Sequence, residues 1–370
     1  MTATKGLEGI IAAQSSICSI VDGVLCYRGI NVDELAEKAS FEEVVYLLWN
    51  GKLPNRSQLD ELKKNLGENA AVPQEVIDSI RSYPKGVHPM AILRTAVSLL
   101  GLYDQEAQDM SAEANYRKSV RLMAQTPTIV AAYARIRKGL EPVAPDPKMS
   151  LAENFLYMLS GEKPSETAIK AFNTALILHA DHELNASTFA ARVTVATLTD
   201  IYSGIVSAIG TLKGPLHGGA NEQVAAMLAE IGTLENVEPY IRRALDNKQK
   251  IMGFGHRVYK NGDPRAKWLR EMSKALTKQV GREELYQMSV KIEEMVTSEK
   301  GLLPNVDFYS ASVYTSLGLE SDLFTPIFAI SRMSGWTAHI MEQYENNRLI
   351  RPRAEYTGPV NQHYVPIDQR

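Results

Sequence analysis

The chain has 370 residues, of which 45% are hydrophobic and 22% charged, with a formal net charge of −3. That length exceeds what one hydrophobic core commonly serves, so a large unit with a smaller one beside it, and a cleft between them, is expected. The slightly negative charge and the absence of a Lys/Arg block exclude a basic field for nucleic acid, and no stretch reaches the roughly 18 uninterrupted apolar residues of a membrane span.

The opening Met1-Thr-Ala-Thr-Lys-Gly-Leu-Glu8 has neither the charged-then-apolar run of a secretory signal nor the Arg/Ser-rich run of a transit peptide, so a cytoplasmic location is expected. Residues 17–30 alternate around Asp22-Gly23, which predicts a hairpin with a two-residue turn. In that register Cys18 faces Tyr27 and Ser19 faces Cys26. The chain's two cysteines then point to opposite faces, which argues against both a disulfide and a metal site.

Beyond the hairpin, helical spacing prevails, and the fold class is all-α with a small N-terminal β-hairpin. Ser40-Phe-Glu-Glu43 is a capping box opening a helix with apolar Phe41, Val44, Val45, Leu47 and Leu48, ended by Gly51. Pro89 suits a first helical turn. Glu141-Pro-Val-Ala-Pro-Asp-Pro147 reads as a rigid connector. Ser150-Leu-Ala-Glu153 repeats the capping signature, with Gly161 as its stop. Segments 186–210 and 324–341 are apolar almost all round, which predicts helices buried in a helical double layer or at an oligomer interface. Pro264 and Pro326, behind Asp263 and Thr325, predict two more helix starts. Residues 219–318 carry more Lys, Arg and Glu than their flanks. The division expected is therefore a large helical unit of 1–218 and 319–370 around a smaller one of 219–318.

Among the seven histidines, His217 and His256 sit in the glycine-punctuated turns Gly214-Pro-Leu-His217-Gly-Gly-Ala-Asn221 and Gly253-Phe-Gly-His256. Glycine lets a backbone come close to a ligand, so a titratable ring there is presented rather than packed. Gly253-Phe-Gly255 is not a dinucleotide loop, because its third glycine and preceding strand are missing. In His179-Ala-Asp-His182, His179 continues the inward stripe Ile169, Phe172, Leu176 and reads as a hydrogen-bonded core histidine. His182 lies past the stripe and is open to a ligand, but its spacing from His179 and the lack of a thiolate make zinc a poor reading. Arg332, within Ile327-Phe-Ala-Ile-Ser-Arg-Met-Ser-Gly-Trp336, would be a buried guanidinium needing an anion or a structural carboxylate. Arg265 by position is a solvated arginine at a helix start, and Arg351 and Arg353 a solvated basic tail. Asn305 caps a helix with Asp307 in its first turn, where an acid ordinarily complements the helix dipole.

With these residues identified, the chain resembles the citrate synthase family, specifically its short bacterial form. The resemblance runs from Gly6-Leu-Glu-Gly9 through Ala39-Ser-Phe-Glu-Glu43 to Arg348-Leu-Ile-Arg-Pro-Arg353. Its most specific motifs are Leu216-His217-Gly-Gly-Ala-Asn221, Gly253-Phe-Gly-His256-Arg-Val-Tyr-Lys260 with Asp263-Pro-Arg265, and Asn305-Val-Asp307. It implies a two-domain multi-helical fold in a homodimer, and an acyltransferase that condenses acetyl-CoA with oxaloacetate and hydrolyses citryl-CoA, the entry step of the tricarboxylic acid cycle.

The resemblance further implies that Asp307 removes a methyl proton from acetyl-CoA, that His217 donates to the thioester oxygen, and that His256 donates to the ketone oxygen of oxaloacetate. Arg265, Arg332, Arg351 and His182 would hold the two carboxylates, with Arg351 reaching across the dimer. Backbone groups of Ile251, Met252, Gly253, Phe254 and Gly255 would meet the CoA adenine and Lys260 a CoA phosphate. No metal or other cofactor is implied, acetyl-CoA being a substrate. The alternative on the same framework is 2-methylcitrate synthase, which uses propionyl-CoA, because one extra methylene is worth only about 1–3 kcal/mol of discrimination. Further rivals are a non-catalytic helical scaffold and a citryl-CoA lyase.

Overall fold

Helical periodicity covers most of the chain, and the computed structural model describes residues 5–7, 9–256 and 258–370, among which are sixteen α-helices and one small sheet. In the sheet, Cys18–Val21 pairs antiparallel with Val24–Tyr27 in the register expected, Cys18 opposite Tyr27 and Ser19 opposite Cys26. Asp22 and Gly23 both adopt positive φ, 52° and 80°, the twist that a tight hairpin turn requires. A third strand, Ile30–Asn31, extends the hairpin by pairing with Cys26 and Tyr27. Both cysteines are free thiols, Cys18 buried and Cys26 partly so.

Local signals set several helix ends. Phe41–Asn50 opens with the reciprocal Ser40/Glu43 capping box and closes at Gly51 in a left-handed conformation. Ser150 caps Leu151–Ser160 through the Glu153 N–H, and Gly161 ends it at φ 82°. Pro89 is the first residue of Pro89–Tyr103. Two expectations shift. Segment 186–210 is not one helix but two, Ala186–Val195 and Ile201–Leu212, packed on each other. Leu198 at φ 63° breaks the run, and Asp200 then caps the second helix by accepting the Ser203 N–H at 3.0 Å. The helix expected at Asp263-Pro264 begins at Ala266, two residues later, although Asp263 still accepts the Arg265 N–H at 3.0 Å.

The Phe324–Glu345 helix is buried along nearly its whole length, through Trp336 to Ile340. It packs against Phe41–Asn50, Ala112–Ile136, Glu166–His179, Ala186–Val195 and Ile201–Leu212, so an all-round apolar sequence is satisfied on every side. Thr325 does not cap it; its hydroxyl bonds the Gly218 carbonyl at 3.2 Å and the Glu222 carboxylate. A second group, Ala220–Ile231, Val237–Asp246, Ala266–Gln279, Glu283–Lys300 and Val306–Ser316, packs largely on itself and touches Glu166–His179 and Phe324–Glu345. Among the described residues no helix is long and apolar enough to cross a membrane.

Candidate active site

Two loops of the second group are stapled together. The Gly255 N–H donates to the Leu303 carbonyl and the Asn305 N–H to the Gly253 carbonyl, both at 2.9 Å, around a bridge between Phe254 and Pro304. Asn305 also donates from Nδ2 to the Gly255 carbonyl at 2.9 Å, and with Oδ1 caps the Asp307 N–H at 3.0 Å. Gly253 holds φ 84°, and a Cβ there would come within 2.9 Å of Phe308 and Val224. The close approach that glycine allows thus fixes the spacing between the His256 loop and the Asp307 helix.

Behind this staple, Asp263 Oδ1 accepts from the Arg265 N–H at 3.0 Å and from its Nε at 2.9 Å, while Oδ2 accepts from Nη2 at 2.8 Å. Arg265 is therefore not solvated, as its position suggested, but 3% exposed. Asp263 Oδ2 also takes the Val306 N–H at 3.0 Å, so one carboxylate orders both Arg265 and the start of the Asp307 helix.

The histidine tautomers follow from their donors. His256 Nδ1 accepts from the backbone N–H groups of Val258 at 3.0 Å and Tyr259 at 3.2 Å. Backbone amides can only donate, so the ring proton sits on Nε2. His217 Nε2 faces the Ser187 hydroxyl at 2.8 Å and the Ser187 N–H at 3.4 Å, which leaves its proton on Nδ1. Trp336 Nε1 donates to the Ser187 hydroxyl at 3.1 Å and steadies it. The His182 and His256 rings lie 5.3 Å apart, and His182 Nε2 is 3.0 Å from the Tyr259 hydroxyl.

Arg332, 1% exposed, donates from Nε to the His179 carbonyl at 2.8 Å, and its guanidinium carbon stands 4.7 Å from the Phe328 ring centre. It makes no ion pair among the described residues, and its Nη1 is buried without a partner. A buried donor of that kind is the place for an anionic ligand. His179 is the core residue expected, with Nδ1 2.8 Å from the Ala175 carbonyl. The Phe328 ring lies 4.9 Å from His179 and 6.3 Å from His217, so Arg332 and His217 both neighbour one ring.

Burial sets the charge states. It pushes the Asp307 carboxyl up to about 7, against the pull of Arg265 and Arg332. It pushes His217 down to about 4, helped by Arg332, and holds His182 well below its usual range, helped by Arg265 and Arg332. His256 is lowered by burial and then Arg265. At neutral pH the site therefore offers neutral imidazole donors, fixed guanidinium charges and a carboxylate poised between its forms.

The other sequence-chosen residues divide. Ile251, Met252 and Gly255 are half-buried and Gly253 and Phe254 buried, with Phe254 packed 4.6 Å from Phe308. Lys260 is exposed on the same loop, and Arg351 and Arg353 are exposed on the tail. Sequence reasoning passed over Ser187, Tyr259, Asp263 and Phe328 as site residues. Tyr259, Asp263 and Phe328 lay inside segments already singled out, Phe328 four positions before Arg332 on one helix, whereas Ser187 carries no local signal. Among the described residues no group of three or more His, Cys, Asp or Glu is placed to hold a metal ion.

A helical scaffold that sets a poised carboxylate in the field of two buried guanidiniums, with neutral imidazoles near those same guanidiniums, suits acid–base chemistry on an anionic substrate. The family description "Citrate synthase, C-terminal domain" fits residues 6–353. Citrate synthase 2 of Bacillus subtilis (strain 168) is 66% identical, covering 100% of each chain. A solved citrate synthase of Thermoplasma acidophilum, in ternary complex with carboxymethyl coenzyme A and oxaloacetate, superposes with a TM-score of 0.94 at 36% identity, covering 100% of each chain. A 2-methylcitrate synthase of Corynebacterium glutamicum is 43% identical, covering 99% of this chain and 97% of its own. The chain belongs to the citrate synthase family and is a condensing enzyme of the transferase type.

Proposed function

We propose that the chain catalyses the citrate synthase reaction, condensing acetyl-CoA with oxaloacetate and hydrolysing citryl-CoA to citrate and CoA. The observation that carries this reading is Asp307, a carboxyl raised to about 7 beside buried Arg265 and Arg332. A carboxylate of ordinary pKa is far too weak a base for a thioester methyl, and both the raised pKa and stabilisation of the developing oxygen charge narrow the gap. Asp307 takes the methyl proton while His217 Nδ1–H donates to the thioester oxygen, a contribution of about 10²–10³ in rate for donors of this kind. The resulting carbon nucleophile attacks the ketone of oxaloacetate. His256 Nε2–H donates to the ketone oxygen and supplies its proton, and water then cleaves the thioester.

Arg265, Arg332 and His182, with Arg351 of the partner subunit, hold the substrate carboxylates. The backbone from Ile251 to Gly255 meets the CoA adenine, and Lys260 a phosphate. In this reading the enzyme is a cytoplasmic homodimer, and the 219–318 group closes on the rest of the chain to exclude water during carbon–carbon bond formation.

The test is thiol release with acetyl-CoA and propionyl-CoA, each with and without oxaloacetate. The expected result is release that requires oxaloacetate, with the higher kcat/KM for acetyl-CoA. A higher kcat/KM for propionyl-CoA would move the protein to the 2-methylcitrate reading, and no release with either would end both.

A further inference from the structure

Tyr259 has no role in the chemistry above, yet it touches more of the site than any residue assigned to it. Its side chain is 4% exposed. Its hydroxyl stands 3.0 Å from His182 Nε2, its ring centre 5.5 Å from that of His182 and 4.5 Å from that of His256. The Arg265 guanidinium carbon lies 5.9 Å from the same ring. Its backbone N–H is one of the two donors that fix the His256 tautomer. A buried phenol hydroxyl needs a hydrogen-bond partner, and here the partner is the imidazole proposed to meet the substrate. The bond spans two separate pieces of chain, the loop after Glu166–His179 and the Gly253–Arg265 segment.

We propose that Tyr259 is a positioning residue of the oxaloacetate site, whose hydroxyl holds the His182 ring in its binding orientation and ties the two loops together. This rests on the citrate synthase reading, in which His182 meets oxaloacetate. Burial keeps the phenol protonated well above its usual range, so the pair is a neutral hydrogen bond throughout the working pH range. Without it, His182 loses the contact that fixes its rotation about the Cβ–Cγ bond, and the substrate must order the ring on binding. The effect falls on oxaloacetate affinity and not on the steps that follow.

The experiment compares wild type, Tyr259→Phe, His182→Gln and the double variant by calorimetric titration with oxaloacetate and by steady-state kinetics. Phenylalanine keeps the ring packing, so a purely structural role would lower Tm without changing oxaloacetate affinity selectively. Tyr259→Phe is expected to bind oxaloacetate about 3- to 10-fold more weakly, the loss of one neutral hydrogen bond. Its kcat and acetyl-CoA KM should stay within about two-fold of wild type, the spread expected when no catalytic contact is altered. In the His182→Gln background the same substitution should add nothing, because residues acting through one contact are not additive. Unchanged oxaloacetate affinity in Tyr259→Phe, or an equal further loss in the double variant, would overturn the proposal. If wild type itself binds no oxaloacetate, the citrate synthase reading falls and the proposal with it, a result seen before any variant is titrated.

Discussion

Asp263 and Arg265 form a buried two-pronged ion pair, at 2.9 Å through Nε and 2.8 Å through Nη2, and the carboxylate that makes it also receives the Val306 N–H at 3.0 Å. The pair therefore does two things at once. It keeps a guanidinium charged inside the protein, and it anchors the first turn of the helix that carries Asp307.

Replacing Asp263 with Asn should be strongly destabilising, because it leaves Arg265 buried without a counter-charge. Breaking one side of such a pair costs about 3–5 kcal/mol. Urea unfolding of the variant should show this loss as a lower midpoint with an unchanged slope. A midpoint equal to that of wild type would mean that water reaches the pair.

The raised Asp307 carboxyl makes a signed prediction about pH. Its ordinary value is 3.8 and its value in the fold about 7. The folded chain therefore holds this proton more tightly, and the associated stability is full below about 4 and is lost as pH rises through about 7. Asp307→Asn removes this dependence, so its Tm advantage over wild type should be greatest above pH 7 and vanish near pH 4. In wild type, kcat/KM for acetyl-CoA should rise through the same inflection as the base ionises, while His217, held down to about 4, adds no inflection near neutral pH. Near-normal turnover by Asp307→Asn would show that the base lies elsewhere.

Arg351 is exposed on the tail within one chain, and the dimer reading assigns it to the partner's site. A heterodimer of an Arg351→Leu chain and an Asp307→Asn chain then gathers both lesions in one site and leaves the other intact. With both single variants nearly inactive, random reassociation of equal amounts makes about half the dimers mixed and restores about a quarter of all sites, as two-fold symmetry requires. Absence of recovery in mixed dimers verified by differential tagging would place Arg351 in its own subunit's site or in none.

Much of this protein is written in local sequence. The Asp22-Gly23 turn, the Ser40/Glu43 box and the left-handed stops at Gly51 and Gly161 depend on residues within a few positions of one another, and each forms as its chemistry dictates. The all-helical class and the burial of the Phe324–Glu345 helix follow from apolar residues at every face. The turns presenting His217 and His256 were visible as glycine-flanked rings. Local pattern was incomplete where a side chain serves two ends: Asp263 takes the Arg265 N–H as a capping residue would and is also the counter-ion of that arginine, and residues 186–210 looked like one helix until Asp200 started a second.

What only the tertiary structure decided is which groups meet and in what charge state. His217 keeps its proton on Nδ1 because Ser187, 30 positions away, donates to the other nitrogen. His182 is held by Tyr259, 77 positions away. Asp307, a half-buried side chain, is raised to about 7 by partial loss of its hydration in the fold, whereas by sequence it is an ordinary acid in a helical first turn. Periodicity and capping are short-range and survive in a linear reading. Tautomers, desolvation and ion pairing depend on distances across the fold, and those exist only once the chain has closed on itself.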